Sequence, residues 1–445
     1  MIGVSGVRGV VGKSLTPDIL TKYSSAFGNL CKSGKVVVGR DSRISGEMAK
    51  SAVFSGLLST GCQVIDLGIC ATPTVEIAVE ELKADGGIII TASHNPIEWN
   101  ALKFVGSDGI FPSENNSKKF FDLVENNNIK YKPWDKLGKI CFDDSWNKRH
   151  IDKILQLSYI NVRKIKERRF RVVLDCCNGA GGVISPPLLR TLGCEVIELN
   201  CAPNGMFSHD PEPIPKNLIS LSQTVKKHQA DLGFANDPDV DRLAIVSEKG
   251  VPLGEEATLA LATKFILSRK PDSNVVSNIS TSRMIDDIAK EFESKVYRTK
   301  VGEAHVARKL KEVKGVIGGE GNGGVILPEL HYGRDALVGM ALILGYLAES
   351  DKSINQLAWE LPRYVMIKEK TSLNKNFEKN LDRLKRKYSR GKINSLDGVR
   401  IDFEDSWVHV RKSNTEPQIR VIAEARSKKE ARKLVTEGVK ILSLD

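Results

Sequence analysis

The feature that most constrains the fold is an alternation of short apolar runs with helical stretches, repeated in three successive segments. Each apolar run has the length and composition of a buried strand. Strands that alternate with helices form mostly parallel sheets covered on both faces. We therefore expect three related α/β domains. The apolar runs lie at 36–39, 64–67 and 88–90, at 172–175, 196–199 and 232–234, and at 274–276, 296–298 and 315–317.

The last part of the chain departs from this pattern. Two strands, at 408–410 and 419–422, flank a polar turn, and a helix begins at Ser427, which forms a capping box with Glu430. This arrangement predicts an α+β domain, and the polar stretch 349–353 is the expected linker before it. A chain of 445 residues holds three or four domains. We place the domains at 1–150, 151–250, 251–355 and 356–445.

The net charge of +11 is compatible with two classes of ligand, nucleic acids and anionic metabolites. Aromatic residues make up 6% of the chain and are not interleaved with the basic runs at 164–169 and 383–387, which disfavours a base-stacking surface. There is no apolar run of about 18 residues and no secretory signal, so no membrane span is expected. Eight scattered cysteines without a C-x-x-C pair fit reduced thiols in a cytoplasmic protein.

A serine follows the buried run 88–90, within the sequence TASHNP at 91–96. Because α/β proteins place their sites at the carboxyl ends of strands, Ser93 is a candidate nucleophile, phosphate carrier or turn residue. The G-x-S-x-G pattern of hydrolases is missing, since Thr91 and Asn95 stand at the glycine positions. His94 is adjacent in sequence, and adjacent side chains usually diverge, so a hydrolase triad is disfavoured.

Three carboxylates follow the run 232–234 at alternating positions, namely Asp237, Asp239 and Asp241. Alternating side chains of an extended segment point to one side, and three carboxylates together suit Mg²⁺. A calcium loop of the EF-hand type is disfavoured because Arg242 stands at the sixth position, where glycine is required. An acidic turn without a metal is the alternative.

Glycines surround Glu320 and Asn322 in the sequence GGEGNGG at 318–324. The spacing matches G-x-G-x-x-G, but Pro328 blocks the helix that a dinucleotide site needs at this point. A carboxylate and an amide on such a loop suit sugar hydroxyls. A turn that needs positive φ angles is the alternative, and it explains the glycines but not the polar pair.

The polar turn at 411–417 has the sequence RKSNTEP and is followed by Arg420. Two guanidinium groups, two hydroxyls and exposed backbone N–H groups form a set that binds phosphate. A turn closed by local hydrogen bonds is the alternative. Near the start of the chain, Arg8 lies on another glycine-rich loop that can approach an anion, although a surface arginine is equally common.

In this order, the four motifs at 91–96, 237–242, 319–323 and 411–415 resemble those of the α-D-phosphohexomutase superfamily, and the resemblance spans nearly the whole chain. It implies three related α/β domains and a mobile terminal domain around a central cleft. It implies an intramolecular phosphotransferase that interconverts hexose 6-phosphate and 1-phosphate through a phosphoserine and a hexose bisphosphate. It also implies one Mg²⁺ per chain and a phosphosugar partner, and neither nucleic acid nor membrane.

The resemblance also assigns roles to individual residues. The catalytic residues would be Ser93, which carries the phosphoryl group, together with Arg8 and Lys103, which handle protons or stabilise charge. The metal ligands would be Asp237, Asp239, Asp241 and the phosphorylated Ser93. Substrate contacts would come from Arg242, from the sugar-binding pair Glu320 and Asn322, and from the phosphate-binding residues Arg411, Ser413, Asn414, Thr415 and Arg420.

The residue between Glu320 and Asn322 bears on the choice of sugar. Bacterial phosphoglucosamine mutases often have Gln there and phosphomannomutase/phosphoglucomutases often have Met, whereas this chain has Gly321. Its loop resembles archaeal-type versions that are usually assigned to phosphoglucosamine mutase, so we expect glucosamine 6-phosphate as the substrate. A phosphomannomutase/phosphoglucomutase of broad specificity is the alternative. A nucleic-acid-binding protein and a metal phosphatase are alternatives of other classes, and the sequence is compatible with a monomer or a homodimer.

Overall fold

Four sheets follow one another along the chain in the computed structural model, which describes residues 2–3, 6–413 and 418–443. We number the units built on these sheets one to four. The expected fold class is confirmed, because the first three units are α/β units with mixed, mostly parallel sheets and the fourth is an antiparallel sheet with helices.

The first unit has a seven-stranded sheet. Its elements are β1 (Ile2–Gly3), β2 (Gly6–Val10), α1 (Pro17–Leu30), β3 (Lys35–Arg40), α2 (Gly46–Ser59), β4 (Gln63–Ile69), α3 (Thr72–Glu81), β5 (Gly86–Ile90), β6 (Trp99–Gly106), α4 (Glu114–Glu125), a 3₁₀ helix (Trp134–Lys136) and β7 (Lys139–Phe142). The strand order is β1-β2-β6-β5-β3-β4-β7. Alternate residues of β3 enter opposite cores: Val36 packs in the cluster that holds α1 and α2, and Val37 in the cluster that holds α3.

The second and third units have four-stranded sheets. The second unit consists of α5 (Trp146–Leu155), α6 (Val162–Arg168), β8 (Arg171–Asp175), α7 (Gly181–Thr191), β9 (Glu195–Leu199), a 3₁₀ helix (Pro215–Asn217), α8 (Ile219–His228), β10 (Leu232–Asn236) and β11 (Leu243–Ser247). The third consists of α9 (Glu255–Leu267), β12 (Asn274–Asn278), α10 (Met284–Glu291), β13 (Lys295–Thr299), α11 (Glu303–Val313), β14 (Ile317–Glu320), β15 (Gly324–Ile326), α12 (Ala336–Glu349) and α13 (Ile354–Trp359).

The first three units share one topology. In the order of the sheets, β6-β5-β3-β4, β11-β10-β8-β9 and β15-β14-β12-β13 are equivalent. In each unit three strands run parallel and the fourth, β6, β11 or β15, pairs antiparallel with the third. The structure thus confirms the repeat that the sequence pattern predicts.

The fourth unit is an antiparallel sheet covered by helices. It consists of β16 (Val365–Ser372), α14 (Phe377–Lys387), β17 (Lys392–Asn394), β18 (Val399–Asp402), β19 (Trp407–Lys412), β20 (Gln418–Ala425) and α15 (Lys428–Leu442). The strand order is β16-β20-β19-β18-β17. The side chain of Ser427 caps α15 by accepting the N–H of Glu430 at 3.2 Å, which is one of the two hydrogen bonds of the predicted capping box.

Two sequence expectations need adjustment. The third strand of the third unit begins at Ile317 and reaches Glu320, so the apolar run at 315–317 marks only its start. The polar stretch 349–353 contains the end of α12 and the N-cap of α13, where Ser353 and Gln356 form a capping box. This stretch therefore lies within the third unit, and the fourth unit begins only at Val365.

One apolar cluster extends through the first three units, from Val37 to Leu361, and fixes them against one another. The fourth unit has its own core. All eight cysteines are free thiols, and Cys141 is the exposed one. Within the described ranges, no helix is both long enough and apolar enough to cross a membrane.

Candidate active site

The motifs of the first three units occupy the same place in the shared topology. Each connects the third strand of its unit to the antiparallel fourth strand: 91–98 joins β5 to β6, 237–242 joins β10 to β11, and 321–323 joins β14 to β15. The fourth motif lies between β19 and β20. Side-chain contacts bring the three loops together, although 144 residues separate Ser93 from Asp237.

Ser93 lies on a left-handed turn, with a φ of 49° and 7% of its surface exposed. Its hydroxyl donates a hydrogen bond to Oδ2 of Asp237 at 2.8 Å, and its N–H donates to Oγ1 of Thr91 at 2.9 Å. A positive φ is uncommon outside glycine, and such strained residues cluster at functional sites. The turn directs the hydroxyl out of the first unit toward the carboxylates of the second.

One buried arginine, Arg43, holds this turn from behind. Its guanidinium donates to the carbonyl oxygens of Ser93 at 2.6 Å, Asn95 at 2.7 Å, Pro96 at 2.7 Å and Trp99 at 2.9 Å. Sequence reasoning missed this residue because its targets lie at least 50 positions away and its own sequence neighbours form no motif.

The position of His94 contradicts the expectation that it diverges from Ser93. Its Nδ1 lies 3.2 Å from the Ser93 hydroxyl oxygen, because the left-handed turn brings the two side chains to the same side. Burial, and then the positive charge of Arg242, hold the pKa of His94 well below its usual value. The imidazole is therefore neutral and adds no positive charge beside Ser93.

The three aspartates of the second loop lie together, as predicted, but they do so on a turn and not on the extended segment that the alternating spacing assumes. One carboxylate oxygen from each lies within 4.8 Å of the other two, and all three residues are buried. Asp237 accepts the backbone N–H groups of Asp241 and Arg242 at 3.1 Å. Val240, between Asp239 and Asp241, has a φ of 65°, which costs a β-branched residue on the order of 1–3 kcal/mol. The loop is therefore held in a strained form that gathers the carboxylates.

The hydrogen bonding of these carboxylates is incomplete in a way that fits a cation. Oδ1 of Asp239 and Oδ1 of Asp241 are buried and accept no hydrogen bond within the described part of the chain. Burial and the neighbouring Asp241 and Asp239 raise the pKa of Asp237 well above its usual value. Because a hard divalent cation coordinates carboxylate oxygens and removes this repulsion, the donor set fits Mg²⁺.

Cations surround this centre. Nζ of Lys103 donates to Oδ2 of Asp239 at 2.6 Å and to Oδ2 of Asp241 at 3.4 Å. Burial opposes the charge of Lys103, but the two carboxylates prevail and raise its pKa, so it stays an ammonium. Arg8 donates to Oδ1 of Asn95 at 3.2 Å, beside Ser93.

A second positive group approaches the aspartates from the other side. Nε of Arg242 lies 3.8 Å from Oδ1 of Asp241 and, among the described residues, donates no hydrogen bond. A hydroxyl, Oγ1 of Thr72, donates to Oδ2 of Asp239 at 2.8 Å. Thr72 was not identified from the sequence, since a threonine at the start of α3 is indistinguishable from an ordinary helix-end residue.

The carboxylate of Glu320 is fixed by three donors. Its Oε1 accepts the side-chain amide of Asn278 at 2.8 Å and the N–H of Gly302 at 2.9 Å, and its Oε2 accepts Nη1 of Arg334 at 3.2 Å. Asn322 bonds locally, with its Oδ1 accepting the N–H of Gly324 at 3.2 Å. The loop thus presents a preorganised carboxylate beside a partly exposed amide.

The glycines of this loop are required by close approach. A side chain at Gly321 would begin 2.0 Å from the carboxylate of Glu256. Gly323 combines a φ of 89° with a backbone oxygen, that of Leu243, 2.5 Å from where a Cβ would lie. The loop therefore contains both the turn with a positive φ, which was the alternative interpretation, and the polar pair of Glu320 and Asn322.

The fourth motif places two guanidinium groups side by side. Arg411 and Arg420 are direct partners across β19 and β20. Nε of each is buried and donates no hydrogen bond among the described residues. Two like charges at directly opposed positions destabilise a sheet unless an anion lies between them. Ser413 is described and pairs through its N–H with the carbonyl of Gln418, whereas Asn414 and Thr415 lie outside the described residues.

The fourth unit is joined to the third by polar contacts at the end of β12. Nδ1 of His409 lies 2.9 Å from Oγ of Ser280, and its Nε2 lies 2.6 Å from the carbonyl oxygen of Asp397. The N–H of Arg283 donates to the carboxylate of Glu424 at 3.0 Å. These contacts hold the sheet face that carries Arg411 and Arg420 toward the third unit.

Comparison with known proteins gives matches along the whole chain. Models of the phosphoglucomutase/phosphomannomutase family match in succession: alpha/beta/alpha domain I at 1–130, domain II at 148–250, domain III at 254–364 and the C-terminal domain at 367–441. A phosphoglucomutase/phosphomannomutase of Thermococcus kodakarensis is 41% identical, with 99% of this chain and 98% of the relative covered.

Two further matches agree with these. A probable phosphoglucosamine mutase of Methanopyrus kandleri is 37% identical, with 99% of this chain and 97% of the relative covered. The crystal structure of a phosphoglucomutase/phosphomannomutase family protein from Burkholderia thailandensis superposes with a TM-score of 0.87 at 27% identity, covering 99% of this chain and 98% of that one.

Proposed function

Because the chain belongs to the phosphoglucomutase/phosphomannomutase family and is a phosphohexomutase, we propose that Ser93 carries the phosphoryl group which it transfers. The observation that supports this most directly is the 2.8 Å hydrogen bond from the Ser93 hydroxyl to Asp237, which is one of the three clustered aspartates. A phosphate on Ser93 would lie beside these carboxylates, and Asp239 and Asp241 each have a buried oxygen that accepts no hydrogen bond among the described residues.

Asp237, Asp239 and Asp241 would hold one Mg²⁺, with the phosphoserine as a further ligand. When bound, Mg²⁺ supplies positive charge against the phosphoryl oxygens, which is the main requirement of phosphoryl transfer. The chain's own cations add to this charge. Lys103 stays protonated between Asp239 and Asp241, so we assign it to charge stabilisation rather than to proton acceptance.

The reaction has two transfers that balance. In the first, the bond from phosphorus to the Ser93 oxygen breaks and a bond to a free hydroxyl of the sugar phosphate forms, giving a hexose bisphosphate. In the second, the other phosphate returns to Ser93 after the intermediate has turned around. In each step one oxygen gives up a proton and another takes one, so no net proton is exchanged.

The other loops would hold the sugar phosphate in either orientation. Glu320 is fixed by three donors and retains acceptor capacity for a sugar hydroxyl, with Asn322 beside it. The paired Arg411 and Arg420 would bind the phosphate that is not being transferred, which relieves their mutual repulsion. Ser413, Asn414 and Thr415 would complete this phosphate site, and Arg242 and Arg8 would neutralise charge at Ser93.

The substrate we propose is glucosamine 6-phosphate, converted to glucosamine 1-phosphate. The Methanopyrus kandleri relative is named a probable phosphoglucosamine mutase. A mutase of broad specificity is the second candidate, because the Thermococcus kodakarensis relative at 41% identity is named a phosphoglucomutase/phosphomannomutase.

A coupled assay with glucosamine 6-phosphate, mannose 6-phosphate and glucose 1-phosphate tests both points. We expect Ser93→Ala to lose at least about 1,000-fold in mutase rate, equal to about 4 kcal/mol of transition-state stabilisation. Mass spectrometry should find phosphate on Ser93 in the wild type. The matched control is Ser51→Ala, an exposed serine of α2 whose hydroxyl bonds only its own helix, and it should keep full activity.

Undiminished turnover in Ser93→Ala would refute the phosphoserine assignment. Comparable rates on all three sugars would refute a narrow preference for glucosamine and favour the second candidate. Release of free phosphate instead of an isomerised sugar would identify a phosphatase.

A further inference from the structure

Arg334 lies between the aspartate loop at 237–242 and the glycine-rich motif at 318–324, and it contacts a carboxylate of each. Its Nη2 donates to Oδ2 of Asp241 at 2.6 Å, and its Nη1 donates to Oε2 of Glu320 at 3.2 Å. The two carboxylates belong to different units, and 9% of the arginine side chain is exposed. A single guanidinium therefore links the proposed metal site to Glu320, the carboxylate that we propose contacts the sugar.

The guanidinium is also held from behind. Glu303, at the start of α11, accepts the Nε of Arg334 at 3.0 Å and its backbone N–H at 2.8 Å. Burial opposes the charge, but Asp241, Glu303 and Glu320 prevail and raise the pKa of Arg334 well above its usual value. The residue is thus a permanent cation whose plane is set by three carboxylates.

These contacts decide which oxygens remain available for ligands. Because Arg334 occupies Oδ2 of Asp241, Oδ1 is the oxygen left without a hydrogen bond. On Glu320, Oε2 accepts one hydrogen bond from Arg334, and Oε1 accepts hydrogen bonds from Asn278 and Gly302. A planar fork can orient two carboxylates at once, whereas the point charge of a lysine cannot.

We propose that Arg334 is a positioning residue which couples the two sites, so that a divalent cation and a sugar phosphate each strengthen the binding of the other. The inference rests on the proposed function, since it takes Asp241 as a metal ligand and Glu320 as a sugar contact. The physical reason is electrostatic, because one guanidinium contacts both carboxylates. A cation that takes up the charge of Asp241 leaves more of the Arg334 charge for an anionic sugar phosphate, and the reverse holds when the sugar phosphate binds first.

Calorimetric titration tests this without turnover. In a Ser93→Ala background, the dissociation constant of Mg²⁺ is measured with and without saturating glucosamine 6-phosphate, and the reverse titration checks reciprocity. We expect the sugar phosphate to tighten Mg²⁺ binding by about fivefold or more. In Arg334→Lys, each ligand should still bind alone, but the mutual tightening should fall below about twofold.

Arg269→Lys is the matched control. Arg269 contacts Phe265, Ser268 and Glu349, none of which belongs to either site, so the mutual tightening should persist even if the melting temperature falls. If Arg334→Lys does not fold, Arg334→Gln is titrated in its place.

The outcomes separate the inference from the proposed function. Equal tightening in the parent and in the Arg334 variant, or none in the parent although both ligands bind, would overturn the inference alone. Failure of the wild type, titrated alongside, to bind either Mg²⁺ or glucosamine 6-phosphate would overturn the proposed function. Loss of the tightening in Arg269→Lys as well would show that general destabilisation is responsible, which also overturns the inference.

Discussion

Replacing Arg43 with methionine tests whether one buried cation holds the Ser93 turn. Arg43 is 1% exposed, and its five hydrogen bonds go to the carboxylate of Asp41 and to four carbonyl oxygens of the turn and its exit. Asp41 is itself fully buried and also accepts the hydroxyl of Thr91, which in turn accepts the Ser93 N–H. Arg43 therefore supports Ser93 directly at its carbonyl oxygen and, through Asp41 and Thr91, at its N–H group.

The expected cost follows from what is left behind. Methionine fills most of the space but leaves the Asp41 carboxylate buried without its cation, and breaking a buried ion pair in this way costs about 3–5 kcal/mol. Once the four carbonyl oxygens are released, a displacement of Ser93 by about 1 Å costs about 100-fold in rate. We expect both losses, the first in urea denaturation and the second in the mutase assay.

Two further variants separate charge from position. Arg43→Met combined with Asp41→Asn removes both charges, so it should recover part of the stability while the rate stays low. Arg163→Met, at a side chain that is 89% exposed, is the control and should change stability by less than about 0.5 kcal/mol. If the single Arg43→Met variant is as stable and as active as the wild type, Arg43 does not hold the Ser93 turn.

Two other predictions concern the fourth unit and the glycine-rich motif at 318–324. Burial lowers the pKa of His409 from 6.5 to about 4, so between these values the unfolded chain binds the extra proton and stability falls as the pH is lowered, by up to about 3 kcal/mol. His409→Gln should remove this dependence in thermal unfolding between pH 7 and pH 4, and an unchanged profile would contradict the assignment. Gly323→Ala should cost more than about 1 kcal/mol and weaken sugar-phosphate binding, because its Cβ would meet the Leu243 oxygen at 2.5 Å. Gly12→Ala is the calorimetric control for Gly323→Ala, because Gly12 also has a positive φ, of 76°, but has open space where a Cβ would lie. An equal effect of the two glycine substitutions would show that only backbone strain matters.

Much of the framework follows from local patterns in the sequence. The apolar runs around Val37, Ile89 and Phe234 form buried central strands, as expected for strands of a mostly parallel sheet with helices on both faces. Ser427 caps its helix because the free N–H groups of a first turn need an acceptor nearby. The spacing of the three aspartates predicts that they act together, but the turn that gathers them, with Val240 at a φ of 65°, was not predictable from it.

The residues that complete the site were not predictable in this way. Arg43 and Arg334 contact partners 50 and 93 positions away, and nothing near them in sequence distinguishes them from the arginines of the surface. His94 was expected to diverge from Ser93, and only the left-handed turn that the surrounding fold stabilises brings it within 3.2 Å.

The sequence by itself therefore determined the repeated strands, the chemistry of each loop and the family that the motifs resemble, because all of these depend on residues close together in the chain. The tertiary structure alone decided that three loops meet. They do so because each occupies the same position of a repeated topology and one apolar core packs the three units together. Which carboxylate oxygens stay free for a ligand was likewise decided by buried arginines that only the folded chain brings to them.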